Sequence, residues 1–398
     1  MTTSRERSPR RRYPHLDDLK VLLVAWVIGC HALLGYSAVG GWAYDEVHEV
    51  TFAPGVEFVL VALLGPSGLF VIGLFFFVAG LFTEAAVRRH GPGHYAVDRV
   101  VRLGVPWLVS ALLVWPLSVW VAYAAAGRKV SPWWVFVHRE PFLDSGSLWF
   151  ALVLVLFSVA FVLVGAVVPA VRRPAPRGPS GGVRLALVAA GIAVTSVVVR
   201  VWFPARSGQV ADLHLWQWPQ CLGMFLLGIA AARQGWAAHV PDRARRACGW
   251  VTLVVLVALP PVALLSGLQD VARDAAPYLG GWSWQAAATA LVEAVLVTAG
   301  SVWLVGLAER RLHGAGERAR RWSQAAFAAF VVQGPVLMLA AAALRPLPAP
   351  AEVKAPIVAV AAVAACFWLG GRFTDAAARL RERRLVGGPP PRSVEEPR

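Results

Sequence analysis

The chain has 398 residues, of which 58% are hydrophobic and only 15% charged, with a formal net charge of +15. Soluble domains of this length carry nearer a quarter charged residues, so a separate soluble domain has no room here. A large basic excess can signal nucleic acid, but its distribution along this chain, described below, excludes that partner.

Residues 1–15 form a basic segment containing Arg5, Arg7, Arg10, Arg11 and Arg12. The apolar run 19–38 that follows has the outline of a signal peptide, and Val27-Ile28-Gly29-Cys30 has that of a lipoprotein cleavage box. Asp17, Asp18 and Lys20 interrupt its approach, the run continues past Cys30, and further apolar runs follow, so it reads as a retained membrane helix. Lys20 and His31 stand out within it. Eleven residues at about 100° each make about three turns plus 20°, so both side chains share one face, about 16 Å apart along the axis. Ionisable groups in hydrocarbon are costly and mark substrate or proton paths.

Further apolar runs of bilayer-spanning length lie at 68–87, 103–126, 148–171, 185–203, 216–232, 248–266, 285–307, 324–344 and 355–371. Ten spans predict an all-α polytopic membrane helix bundle. The 52–66 stretch reads as a re-entrant or peripheral segment within the first outer loop. Outer loops carry Trp42, Tyr44, Trp133, Trp134, Trp282 and Trp284, which suit an interfacial aromatic belt. Arg172 to Gly182 reads as a Pro/Gly/Arg-rich linker, and the chain from Gly387 as a disordered end. Three units follow: a basic cytoplasmic segment 1–15, a membrane domain 16–372, and a basic, largely disordered cytoplasmic tail 373–398.

Alternate loops are basic. Arg88, Arg89, Arg99 and Arg102 fall on the same side as the N-terminal arginines, as do Arg172, Arg233, Arg243, Arg310, Arg321 and the Arg-rich end after Arg372. The opposite loops hold few cations. This is the positive-inside pattern over an even number of spans, with both termini in the cytoplasm. Cys30, Cys221, Cys248 and Cys366 are scattered and show no metal or disulfide spacing.

Leu16-Asp17-Asp18-Leu19-Lys20, followed after ten intervening residues by His31, resembles the first helix of the acyltransferase family 3 of integral membrane proteins. In that family a basic residue, usually Arg, occupies the place of Lys20. Other segments match in order: Leu74-Phe75-Phe76-Phe77-Val78-Ala79-Gly80; Asp98-Arg99-Val100-Val101-Arg102 with Pro106; Ser147-Leu148-Trp149-Phe150; and Phe225-Leu226-Leu227-Gly228 with Gly235-Trp236. Ala326 to Val336 resembles the penultimate-helix motif, with Phe330 and Gln333 where relatives often have Tyr and His. The pattern is similar to the stand-alone branch that includes glucan succinyltransferase-like proteins.

The resemblance implies acyl transfer from cytoplasmic acyl-CoA, a co-substrate rather than a bound cofactor, to a hydroxyl of a glycan, lipid-linked saccharide or metabolite, in a bacterial cell membrane. Such a reaction needs a base for the hydroxyl proton and cations for the donor's phosphates. His31 is the candidate general base, with a covalent acyl-histidine as a variant. Asp17 and Lys20, and Arg99 and Arg102, are i,i+3 pairs that can form a phosphate-facing cluster. Trp149 is a candidate tunnel wall, or else belt or core. Glu293, alone in its apolar span, either orients the imidazole or acceptor or merely packs. Arg200 reads as a snorkelling anchor, and Gln217, Gln220 and Gln333 as amides that knit helices together. A metal site is not expected, and a homo-oligomer is left open. The alternative class is a transporter using the same buried charges, though no internal duplication is seen; a third is a membrane scaffold.

Overall fold

The computed structural model describes residues 13–168, 181–207, 209–267, 275–313 and 316–386, with side chains omitted at 210 and 380–386. The linker residues 172–180 and the end from Gly387 lie outside the described residues. The chain is all-α: 82% helical, without strands among the described residues.

Ten long helices follow one another among the described residues. They are α1 (Pro14–Leu34), α2 (Pro54–His90), α3 (Pro92–Ala125), α4 (Gly146–Val167), α5 (Gly181–Trp202), α6 (Trp218–Arg233), α7 (Asp242–Leu265), α8 (Trp284–Arg311), α9 (Glu317–Leu344) and α10 (Ala351–Val386). Eight of these are long and apolar enough to cross a membrane. The other two are α1 and α6. In α1 the charges at Asp17, Asp18 and Lys20 shorten the apolar stretch, and α6 has only 16 residues. Both occupy spans read from the sequence.

Local chemistry explains the boundaries. Proline near the first helical position opens α1, α2 and α3, where its missing N–H costs nothing. Gly91, at φ 81°, separates α2 from α3. The 52–66 stretch is neither re-entrant nor peripheral: from Pro54 it is the first part of α2, which continues through Pro66. At 37 residues this helix is about 55 Å long, well beyond a hydrocarbon core of about 30 Å. The other end differs too, since α10 runs to Val386 and carries the first part of the expected tail as helix. Three single π-turns, Val100–Gly104, Ser110–Val114 and Leu296–Gly300, lie within α3 and α8. Such turns insert one residue into a helix and concentrate at functional sites.

α1 is the hub, packed against α8, α9 and α10 and touching α2. The α2–α6 contact is made at backbone distance. A Cβ on Gly80 would meet the Phe225 carbonyl oxygen at 2.2 Å, and one on Gly228 would meet that of Phe77 at 2.2 Å. Only glycine permits this approach, which replaces the hydrophobic driving force that helices lack in lipid. It also explains why two separate sequence motifs each end in glycine.

Candidate active site

Two cavities border α1, one at each end. The first, of about 760 Å³, is lined by five Lys/Arg side chains, Lys20, Arg89, Arg99, Arg102 and Arg320, against the carboxylates of Asp17 and Asp98. Lys20 Nζ donates to Asp17 Oδ1 at 3.2 Å, and Arg102 Nε lies 2.6 Å from Asp98 Oδ1. The Arg99 guanidinium sits 5.1 Å from the centre of the Tyr95 ring, and its buried Nε has no hydrogen-bond partner. The four sequence candidates Asp17, Lys20, Arg99 and Arg102 therefore share one rim. The fold adds Arg89 and Arg320 from α2 and α9, which spacing alone did not connect to them.

The second cavity, of about 630 Å³, is lined by His31 and Trp149 together with loop residues. His31 Nδ1 lies 2.9 Å from Gln333 Oε1, and Gln333 Nε2 donates to Ser147 Oγ at 2.9 Å. This amide orientation makes Oε1 the acceptor of the Nδ1 proton, which leaves the lone pair on Nε2. Gln333 therefore joins α1 to α9 and, through that bond, sets the tautomer of His31.

The ring of His31 is also held from the outside. Trp42 stacks on it at 4.3 Å with planes 15° apart, and Trp115 meets the edge of Trp42 at 5.2 Å. Trp115 Nε1 donates to Asp144 Oδ2 at 2.6 Å, Arg139 Nε to the same oxygen at 2.8 Å, and Arg139 reaches Glu46 at 3.2 Å. Gly146 lies against Trp115 at φ 58°, where a Cβ would come within 2.5 Å of the indole. The belt reading of Trp42 and Tyr44 is thus corrected, since both are buried and fold back over the bundle. Trp133, Trp134, Trp282 and Trp284 are exposed, as a belt requires.

Glu293 is not part of either cavity. It is buried, paired with Arg200 NH2 across α5 and α8, and Arg200 lies 5.1 Å from the Trp216 ring. Arg200 is therefore no snorkelling anchor, and Glu293 neither orients His31 nor faces an acceptor. An arginine inside the bundle captured the lone carboxylate, because an unpaired charge there is expensive.

Sequence reasoning missed the loop cluster. Asp212 and His214 line the second cavity beside Trp149, whose ring is 4.5 Å from that of His214. Burial foremost, then the charge of Asp144, pushes the Asp212 carboxyl up to about 7, with Arg139 opposing. Burial likewise brings His214 down to about 4, against its hydrogen bond to the Asp212 backbone carbonyl and the charge of Asp144. No periodicity marks such residues, and only their being non-apolar in a Trp-rich loop set them apart.

A bundle of membrane-length helices with one cavity at each end of α1 defines a multi-pass membrane protein. The chain belongs to acyltransferase family 3: the family described as an acyltransferase domain matches residues 13–371, nine-tenths of its length. It is a membrane acyltransferase. Neither the curated proteins nor the solved structures contain a match.

Proposed function

We propose that the protein is an O-acyltransferase of a bacterial cell membrane, with both termini cytoplasmic and residues 16–372 as its transmembrane unit. It moves an acyl group from cytoplasmic acyl-CoA to a hydroxyl on a glycan, lipid-linked saccharide or metabolite. The basic loops orient the first cavity toward the cytoplasm. There Lys20, Arg99 and Arg102 bind the donor phosphates, with Asp17 holding Lys20 in place. Lys20 contributes as a point charge and the arginines as bidentate forks. An extended pantetheine arm carries the thioester along α1 toward His31.

The acceptor hydroxyl enters the second cavity. His31 Nε2 takes its proton as the hydroxyl oxygen attacks the thioester carbon. The tetrahedral adduct collapses with cleavage of the C–S bond, the ester forms, and the coenzyme A thiolate takes the proton back from His31. Both half-steps use the same nitrogen, so the Gln333 bond that fixes the tautomer serves each of them. Trp149 forms the acceptor-side wall.

The observation that carries this reading is the His31–Gln333–Ser147 chain at the floor of a cavity, in a chain of this family. The test is mass spectrometry of surface glycans and lipids from cells with the wild-type protein, without it, and with His31→Ala. Loss of one acyl mass in the last two samples supports it. Unchanged acylation with altered uptake of a polar substrate overturns it in favour of transport.

A further inference from the structure

One wall of the second cavity comes from Arg206, Asp212, His214, Trp216 and Gln217, and the transfer chemistry at His31 does not use it. His214 Nδ1 donates to the Asp212 backbone carbonyl at 2.9 Å, so its Nε2 presents a lone pair. The Asp212 carboxylate is 3.6 Å from that Nδ1, beyond hydrogen-bonding distance. It has no Lys or Arg partner among the described residues, whereas Glu46 and Asp144 share Arg139. Two acceptors, the Asp212 carboxylate and His214 Nε2, thus face one space, and among the described residues neither receives a donor. Beside them the Trp149 ring offers a flat apolar face.

A wall of unpaired acceptors selects a ligand that brings donors. Hydroxyls do so. Carboxylates and phosphates bring only acceptors and meet a cavity in which the carboxyl groups of Asp45, Glu46, Asp144 and Asp212 outnumber the guanidiniums of Arg139 and Arg206. We propose that Asp212 and His214 form an acceptor-selecting subsite that binds a second hydroxyl of a neutral polyol, next to the one being acylated, and turns away anionic acceptors. That the bound polyol is an acceptor rests on the acyl-transfer reading; the charge selection itself does not.

The backbone supports a built site. Ala211, Asp212 and His214 have φ values of 60°, 49° and 45°, the left-handed region, which non-glycine residues occupy where the surroundings hold them. Asp212 faces Asp144 and Arg139 from the loop before α4 and His214 from its own loop. Its carboxyl, lifted to about 7, is ionised above neutrality and protonated below it. Charge selection is therefore strong in alkali and relaxed in mild acid.

The test uses the full-length protein in lipid nanodiscs, with methyl glucoside as the neutral probe and methyl glucuronide as the anionic one. Binding is followed by saturation-transfer NMR, and acetyl-CoA binding is measured by calorimetry on the same samples. The expected result is that wild type at about pH 8 prefers the glucoside by about tenfold, the worth of a hydrogen bond to a charged group. At about pH 5.5 that preference narrows. Asp212→Asn, which tolerates the left-handed backbone, and Asp212→Ser lose the preference and its pH dependence, while acetyl-CoA binding stays intact and certifies folding. Equal binding of both probes, binding of neither, or a preference that survives in both variants overturns the proposal. Failure of acetyl-CoA to bind wild type, with the sugar preference intact, instead overturns the acyl-transfer reading.

Discussion

His31 Nδ1 and Gln333 Oε1 lie 2.9 Å apart although 302 positions separate them in the chain. The bond ties α1 to α9 and decides which imidazole nitrogen is free to accept a proton. Two outcomes follow. His31→Ala lowers acyl transfer by about 100- to 10,000-fold, the contribution of a general base. Gln333→Leu lowers kcat by only about five- to tenfold, the worth of one positioning hydrogen bond, and leaves acetyl-CoA binding unchanged. Steady-state kinetics with separate kcat and KM values check both. A Gln333→Leu effect confined to KM would show that the amide binds substrate instead.

The cationic rim gives a different signature. Arg99→Ala and Arg102→Ala each weaken acyl-CoA binding by about tenfold or more, since charge-assisted bonds to phosphate are lost. Lys20→Ala has a smaller effect, because an ammonium is a point charge without the bidentate phosphate grip of a guanidinium. Raising salt narrows all these differences. Calorimetric titration with acetyl-CoA at two ionic strengths measures them. Identical affinities in wild type and variants would remove the donor from this cavity.

The Arg200–Glu293 pair predicts a stability effect without a binding effect. Replacing either partner alone leaves a buried charge uncompensated and costs about 3–5 kcal/mol, whereas Arg200→Met combined with Glu293→Leu restores most of it. Thermal unfolding in detergent, monitored alongside acetyl-CoA binding, tests this. A double variant no more stable than the singles would contradict the pair account.

Asp212 also links stability to pH. Its carboxyl, raised from 3.8 to about 7 in the fold, holds its proton where the unfolded chain has already released it. The folded state therefore binds more protons between these values, and this group's contribution to stability falls as pH rises through that window. His214, brought down to about 4, acts oppositely, so its contribution rises with pH up to its ordinary value near 6.5. Asp212→Asn removes the first slope. The variant gains melting temperature relative to wild type at about pH 8 and little or none near pH 4. A constant difference across this range would refute the assignment.

Much of the site was legible along α1 because a helix converts spacing into position. Asp17, Lys20 and His31 needed only 3.6 residues per turn to be placed at two depths of one face. Arg99 and Arg102 followed the same logic at the start of α3. Glu293 stayed between two readings for the complementary reason: its periodicity says that it faces inward, but not which of several neighbouring helices supplies its partner. Gln333, as a neutral amide, had no charge to draw attention to it. Trp42 and Asp212 sit in loops, where no period connects sequence to direction.

The amino-acid order on its own settled the membrane class and the alternation of basic loops, since these depend on transfer free energies summed over local stretches. It could not settle which side chains meet. The partners of His31, Arg200 and Asp212 are chosen by how α1, α5, α8 and α9 pack and by loops that fold back over them. Those contacts join residues far apart in the chain, and only closing the bundle brings them within hydrogen-bonding reach.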